Sequence, residues 1–229
     1  MNLLALETST DTGSVALWLD GALSERVFVT GEPAGSTHSH TLLPAVRALL
    51  DAASLRFADL DGIAFGNGPG AFTGLRVACA VSQGLAAAHD LPLIPVSTLE
   101  AMALSSGGKR VLVALDARMG EVYWGVYCAG VAQAPLIVAA PQDVPLPEGT
   151  GWLACGNGLA AYPVLAERLQ AKATAFQPQL MPAASAVARL AAPRLARGER
   201  VAAADAVPVY VRDKVALTVA ERLAQGGRA

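Results

Sequence analysis

Two acidic residues close short apolar runs in this chain: Glu7 follows Leu3–Leu6, and Asp116 follows Val111–Leu115. A carboxylate at the end of a central strand can hold a metal-bound water, and the hydroxyls and free amides of the turn behind it can cradle a phosphate. The first turn runs Glu7-Thr8-Ser9-Thr10-Asp11-Thr12-Gly13 and the second Asp116-Ala117-Arg118-Met119-Gly120. Read as chemistry, they set Glu7, Thr8, Ser9, Asp11 and Asp116 around a nucleotide or its magnesium ion. The plainer reading is a pair of hairpins whose Ser, Thr and Asp side chains satisfy their own backbone.

A third segment, Gly66-Asn67-Gly68-Pro69-Gly70-Ala71-Phe72-Thr73-Gly74-Leu75-Arg76, is rich in glycine. It lacks the Gly-Lys-Ser/Thr ending of a P-loop, so no lysine reaches a nucleotide phosphate. Gly68 and Gly70 shape a compact turn, and Thr73 stands at the expected start of a helix, where unpaired amides favour an anion. A close structural turn explains the glycines equally well. His38 and His40 form an H-x-H pair, but a metal site needs further ligands and His89 is the only other histidine. Solvated histidines near a helix start are the expectation. Cys79, Cys128 and Cys155 stand far apart, form no C-x-x-C pair, and read as small buried hydrophobes. No metal centre is expected from either set.

Periodicity names the elements that must hold these groups. Leu3–Leu6 is a strand; Val15, Leu17 and Leu19 alternate along a second; Asp20-Gly21 turns into a third at Ala22–Val29. A polar stretch from Thr30 to Ser39 leads into Leu42, Leu43, Val46, Leu49 and Leu50 at helical spacing. Strands follow at Asp61–Phe65 and Leu93–Val96, with a helix of small residues at Val77–His89 between them. Ser97-Thr98-Leu99-Glu100 has the spacing of a capping box and opens another helix.

The order then repeats. Val111–Asp116, a turn with glycine, and the alternating run Val122–Tyr127 mirror Leu3–Leu19. An internal duplication predicts two lobes, residues 1–100 and 101–229, each a βββαβα unit. The second is looser: a Pro-rich stretch covers 134–151, and helical patterns lie at Leu159–Ala171 and Ala184–Arg197, the latter kinked or ended by Pro193. The predicted fold class is α/β, a two-lobed duplicated actin-like ATPase (ribonuclease H-like, ASKHA) fold.

Composition narrows the function. The chain has 229 residues, 53% of them hydrophobic and 16% charged, which suits a folded globular protein. No run approaches the ~18 uninterrupted apolar residues of a spanning helix, and the start of the chain lacks the basic and apolar regions of a secretory leader. A cytoplasmic protein without a membrane partner is expected. The formal net charge is −2 and the basic residues are scattered, so an autonomous grip on nucleic acid through phosphate neutralisation is not expected.

Several blocks, taken in order, resemble the bacterial TsaB (YeaZ) family. They are Glu7-Thr8-Ser9-Thr10 through Leu17, Gly68-Pro69-Gly70-Ala71-Phe72-Thr73-Gly74-Leu75-Arg76, Val96-Ser97-Thr98-Leu99, Asp116-Ala117-Arg118-Met119-Gly120-Glu121-Val122-Tyr123 and Pro208-Val209-Tyr210-Val211-Arg212. The resemblance spans essentially the whole chain. It implies a subunit of the machinery that installs threonylcarbamoyl on the adenosine beside the anticodon of tRNAs reading ANN codons. It further implies a non-catalytic dimerisation platform for the paralogous catalytic subunit TsaD, working with the ATPase TsaE and reaching tRNA only through the complex. The chain departs from the TsaD pattern in lacking its H-x-x-x-H metal motif, and Cys155-Gly156-Asn157-Gly158 is a weak remnant of a second glycine loop. No cofactor of its own is expected, and ATP or ADP belongs at an interface shared with the partner. Two rivals are an ATP-dependent phosphotransferase with Glu7, Asp11 and Asp116 around magnesium, and a glycoprotease-like metallopeptidase using His38 and His40.

Two further expectations concern surfaces. Asp116, Arg118, Glu121 and Tyr123 are expected at the mouth between the lobes, as a network built on a buried Asp–Arg pair. The partner surface, which also serves a homodimer, is expected on the two first-lobe helices through Leu43, Val46, Arg47 and Leu50 on one and Arg76, Cys79, Gln83 and Ala86 on the other. Their apolar and small residues exceed what one sheet contact needs and suit a four-helix bundle about a two-fold axis.

Overall fold

A computed structural model describes residues 1–32 and 34–212. Residues 213–229 of the expected second lobe, and Pro33 in the polar stretch, lie outside the described residues. The first half contains β1 (Asn2–Glu7), β2 (Thr12–Leu19), β3 (Ala22–Val29), α1 (His38–Ala52), β4 (Gly62–Gly68), α2 (Phe72–His89), β5 (Leu93–Ser97) and α3 (Thr98–Ser105). The second contains β6 (Arg110–Asp116), β7 (Val122–Cys128), β8 (Val131–Ala132), β9 (Ile137–Ala139), β10 (Trp152–Cys155), α4 (Gly158–Ala161), α5 (Pro163–Leu169), β11 (Ala173–Gln177) and α6 (Ala184–Ala196).

Two sheets repeat one plan. The first has the order β3-β2-β1-β4-β5 and the second β11-β10-β6-β7-β8, with β9 also on β7. In each, an antiparallel hairpin joins the first two strands and a later strand pairs parallel with the first, β4 with β1 and β10 with β6. Glu7 stands opposite Ser14, and Asp116 opposite Val122, so the two acids occupy equivalent strand ends. The duplication is therefore real, with β6 matching β1 and β10 matching β4.

β1 is apolar from Leu3 to Leu6 because both of its faces are covered. Leu4 and Leu6 join Leu42, Val46 and Leu50 of α1 and Ala78 of α2 on one side. Leu3 and Ala5 meet Ala184, Val187, Ala188 and Ala191 of α6 on the other. Thus α6, late in the chain, packs on the first sheet; its alanines let the helix axis approach the strands closely. Helix α3 instead carries Leu99 and Met102 into the second lobe's cluster with Val113, Leu115 and Tyr127. The two halves exchange helices across their junction.

Several boundaries differ from expectation for local reasons. α2 begins at Phe72 rather than Val77, because Gly74 lies against the Thr8 carbonyl and lets the first turn of the helix pack on the end of β1. Pro163 starts a new helix, so the Leu159–Ala171 pattern splits into α4 and α5. Pro193 sits inside α6 without ending it. Ser97 occupies the N-cap of α3 but makes no side-chain cap bond, so the expected capping box does not form. Among the described residues no helix is long and apolar enough to cross a membrane.

Candidate functional site

The ends of β1 and β6 face one cleft between the lobes. Its polar half is a cavity of about 60 Å³ lined by Ser9, Thr10, Asp11, Gly70, Asp116 and Arg118, among others. A neighbouring hollow of about 270 Å³ is mostly apolar, walled by Phe72, Leu75, Met119, Tyr123, Val209 and Tyr210.

The expected nucleotide set divides in two. Glu7 turns inward and is wholly buried. Its Oε1 accepts the Ser9 N–H at 2.6 Å, and its carboxyl occupies the space a side chain at Gly66 would need. Burial pushes the Glu7 carboxyl above the usual carboxylate range, with the Ser9 hydrogen bonds opposing the shift. The Thr8 hydroxyl donates to the Gly74 carbonyl at 2.8 Å, and the Ser9 carbonyl accepts the Ala71 N–H at 2.7 Å. These residues tie the end of β1 to the start of α2. Gly68 has φ +115°, and the Val209 carbonyl lies where its side chain would point. Thr73 is exposed on the first turn of α2.

Asp11 and Asp116, by contrast, meet in the cleft with Arg118 between them. The Arg118 guanidinium lies 2.8 Å from Asp11 Oδ2 and 3.2 Å from Asp116 Oδ2. Asp116 Oδ1 accepts the Arg118 N–H and the Tyr162 hydroxyl, each at 2.9 Å. The Asp116 N–H donates to Asn157 Oδ1 at 2.9 Å, so the Gly156–Gly158 loop braces the acid. The pair is not the buried one expected: the Arg118 side chain is 71% exposed and Asp116 11%, so water screens the bridge on one side. Of the three acids expected around magnesium in the phosphotransferase alternative, Asp11 and Asp116 lie together and Glu7 lies apart in the core.

The two histidines play different parts. His38 is buried, its Nε2–H donates to the Thr10 carbonyl at 2.6 Å, and its ring meets Phe28 edge-on. The expectation that both histidines are solvated is corrected for His38, whose ring closes the first turn from outside. His40 is exposed.

Of the residues expected at a partner surface, Val46, Leu50, Cys79 and Ala86 are buried in their own lobe's core. Gln83 is turned to its own chain, donating to the Ala203 and Ala206 carbonyls at 3.0 Å. Leu43, Arg47 and Arg76 are exposed. Helical period decides this split: α2 uses Cys79 and Ala86 inward, which leaves Ala80 and Gly84 outward beside Arg76. No local pattern in the sequence assigns roles to Asn157, Tyr162 or Arg212; Arg212 is marked only by the Pro208–Arg212 block.

A duplicated sheet plan, with the equivalent ends of β1 and β6 facing one cleft, defines the class as the two-lobed actin-like fold. The family model described as TsaD, tRNA N6-adenosine threonylcarbamoyltransferase, matches residues 29–218. The tRNA threonylcarbamoyladenosine biosynthesis protein TsaB of Escherichia coli is 35% identical over 228 residues, covering 94% of this chain and 96% of that protein. The Haemophilus influenzae TsaB is 44% identical over 128 residues, 54% of this chain and 52% of its own length. A solved structure described as YeaZ from Pseudomonas aeruginosa superposes with a TM-score of 0.82 at 40% identity, covering 91% of this chain and 99% of that one. The chain belongs to the TsaB (YeaZ) family.

Proposed function

We propose that the chain acts in tRNA threonylcarbamoyladenosine biosynthesis as a non-catalytic platform subunit, holding a TsaD-type catalytic subunit in a productive dimer. The observation that carries this reading is the cleft itself. The place between Asp11 and Asp116 where an ATPase would put a metal and phosphate is bridged by the chain's own Arg118 guanidinium, and Glu7 is buried away from it. A cleft bridged in this way suits a fold kept for its surfaces. Leu43 and Arg47 of α1, with Arg76, Ala80 and Gly84 of α2, supply an exposed face whose small residues permit close helix approach. In this reading the same face serves a homodimer and the TsaD heterodimer in competition, a TsaE-type ATPase joins the assembly, and any ATP or ADP sits at the shared interface. tRNA is then met through the complex, in the cytoplasm.

Co-purification with the cognate TsaD-type subunit tests the proposal. Gly84→Glu should yield a folded monomer that no longer retains TsaD. A folded Gly84→Glu variant that still dimerises and still retains TsaD removes α2 from the interface. Calorimetric titration with Mg-ATP tests the cleft: binding tighter than about 10 μM, roughly −7 kcal/mol, would argue for an enzyme instead.

A further inference from the structure

After α6 the chain returns across the first lobe beside β5 and α2, with Ala206 buried in that lobe's core. Val201 pairs with Leu93, N–H to carbonyl at 2.8 Å and the reverse at 3.2 Å. Gln83 of α2 then grips the segment through the Ala203 and Ala206 carbonyls, and the Val209 N–H donates to the Asn67 carbonyl at 2.7 Å. Tyr210 accepts a hydrogen bond from Arg76 at 3.0 Å. Two residues later Arg212 crosses to the second lobe. It donates to the Ala117 and Arg118 carbonyls at 3.1 and 3.4 Å and pairs with the Glu121 carboxylate.

The turn that Arg212 grips is strained. Arg118 and Met119 have φ of +59° and +54°, ahead of Gly120 at +78°. Consecutive non-glycine residues in the left-handed region persist only where their surroundings over-determine them. Within the turn, the Ala117 N–H bonds the Glu121 carbonyl at 3.0 Å and the Glu121 N–H bonds the Arg118 carbonyl at 3.1 Å. Arg212 adds donors from outside at both ends. It is this turn conformation that aims the Arg118 side chain at Asp11 in the opposite lobe.

We propose that Val201–Arg212 is a strap that couples α2 to the cleft. Seated on α2, it places Arg212 so that the left-handed turn holds and the Asp11–Arg118 bridge between the lobes stays closed; lifted from α2, it frees the turn and opens the bridge. The coupling requires only contacts within this chain. That a partner subunit could work it by displacing the strap rests on the reading of α2 as a partner surface.

Hydrogen exchange on the isolated full chain tests the coupling, and co-purification with TsaD tests the partner reading separately. Gln83→Ala loosens the strap at a distance from the turn, and Arg212→Ala cuts the link. Both should speed exchange of the Ala117 and Glu121 amides, at least tenfold for Arg212→Ala, while the Leu4 and Leu6 amides of β1 keep their protection. If Arg212→Ala does not fold, Glu121→Ala removes the carboxylate that Arg212 pairs with and should speed the same two amides. Faster exchange at Val209 with no change at Ala117 and Glu121 in these variants would overturn the proposal, leaving the strap as packing alone.

Discussion

The turns after β1 and β6 begin from the same place in a duplicated sheet and end in opposite environments. After β1, Glu7 is folded beneath Gly66 and Ser9, the Thr8 hydroxyl bonds the start of α2, and His38 shuts the turn from outside. After β6, Asp116 stays at the cleft edge, held by Tyr162 and Asn157 and bridged by Arg118 to Asp11. Duplication fixes where an acid stands on a strand; the neighbouring small residues decide what it does. Gly66 leaves room for the first acid to sink into the protein, and Gly74 lets the Thr8 backbone lie against α2. At the second, Gly156 packs on the Ala114 carbonyl and the neighbouring Asn157 holds the acid at the cleft edge.

The sharpest way to break this contrast is to remove the room beneath the first turn. At Gly74 a side chain would run into the Thr8 carbonyl, backbone that cannot swing aside. Gly74→Val should therefore cost about 3 kcal/mol, the upper part of the usual overpacking range, read as a lower urea midpoint. A variant as stable as the parent would show that the end of β1 and the start of α2 are not locked together.

A smaller effect, and one that depends on pH, is expected at Glu7. Burial raises its folded-state pKa above the unfolded value, so the folded state binds the proton more tightly. That contribution is complete below the unfolded pKa of roughly 4.3 and is lost as pH rises through the folded value, at up to about 1.4 kcal/mol per pH unit. Glu7→Gln keeps the shape and removes the titration. Its stability should gain on the parent with rising pH across that window, and parallel pH profiles for the two proteins would contradict a buried acid.

Arg118→Ala should have the smallest effect on stability. Because the guanidinium is largely exposed, its loss is worth about 1 kcal/mol or less, not the ~3 to 5 of a buried pair left half-broken. The difference should shrink further with added salt, since screening already weakens an exposed bridge. A loss above 3 kcal/mol that is insensitive to salt would mean the bridge is shielded from water.

Much of this was legible in the residues. The repeat of an apolar run, an acid and a turn was enough to predict two matching sheets, because strand period and terminal acid are local properties. The side on which an acid lies was not legible, since it depends on which distant glycine makes room: Gly66 for Glu7, on a strand more than fifty residues later in the chain. The helix surfaces were half legible for the same reason. Apolar spacing marks α1 and α2, but Val46, Leu50 and Ala86 are consumed by their own core, and Gln83 is taken by a strap that no local pattern announces.

The central claim, that the cleft is bridged by the chain's own arginine and that function resides on the helix face, is tested most directly by reconstituted threonylcarbamoylation of a tRNA reading an ANN codon. Two variants would be compared in the presence of the TsaD- and TsaE-type subunits: Asp11→Ala, which removes one end of the bridge, and Gly84→Glu, which charges the outer face of α2. Asp11→Ala should leave modification within about twofold of the parent, under ~0.4 kcal/mol, while Gly84→Glu should abolish it together with TsaD retention. Modification abolished by Asp11→Ala with TsaD still retained, and left intact by Gly84→Glu, would contradict the claim and return the active role to the cleft.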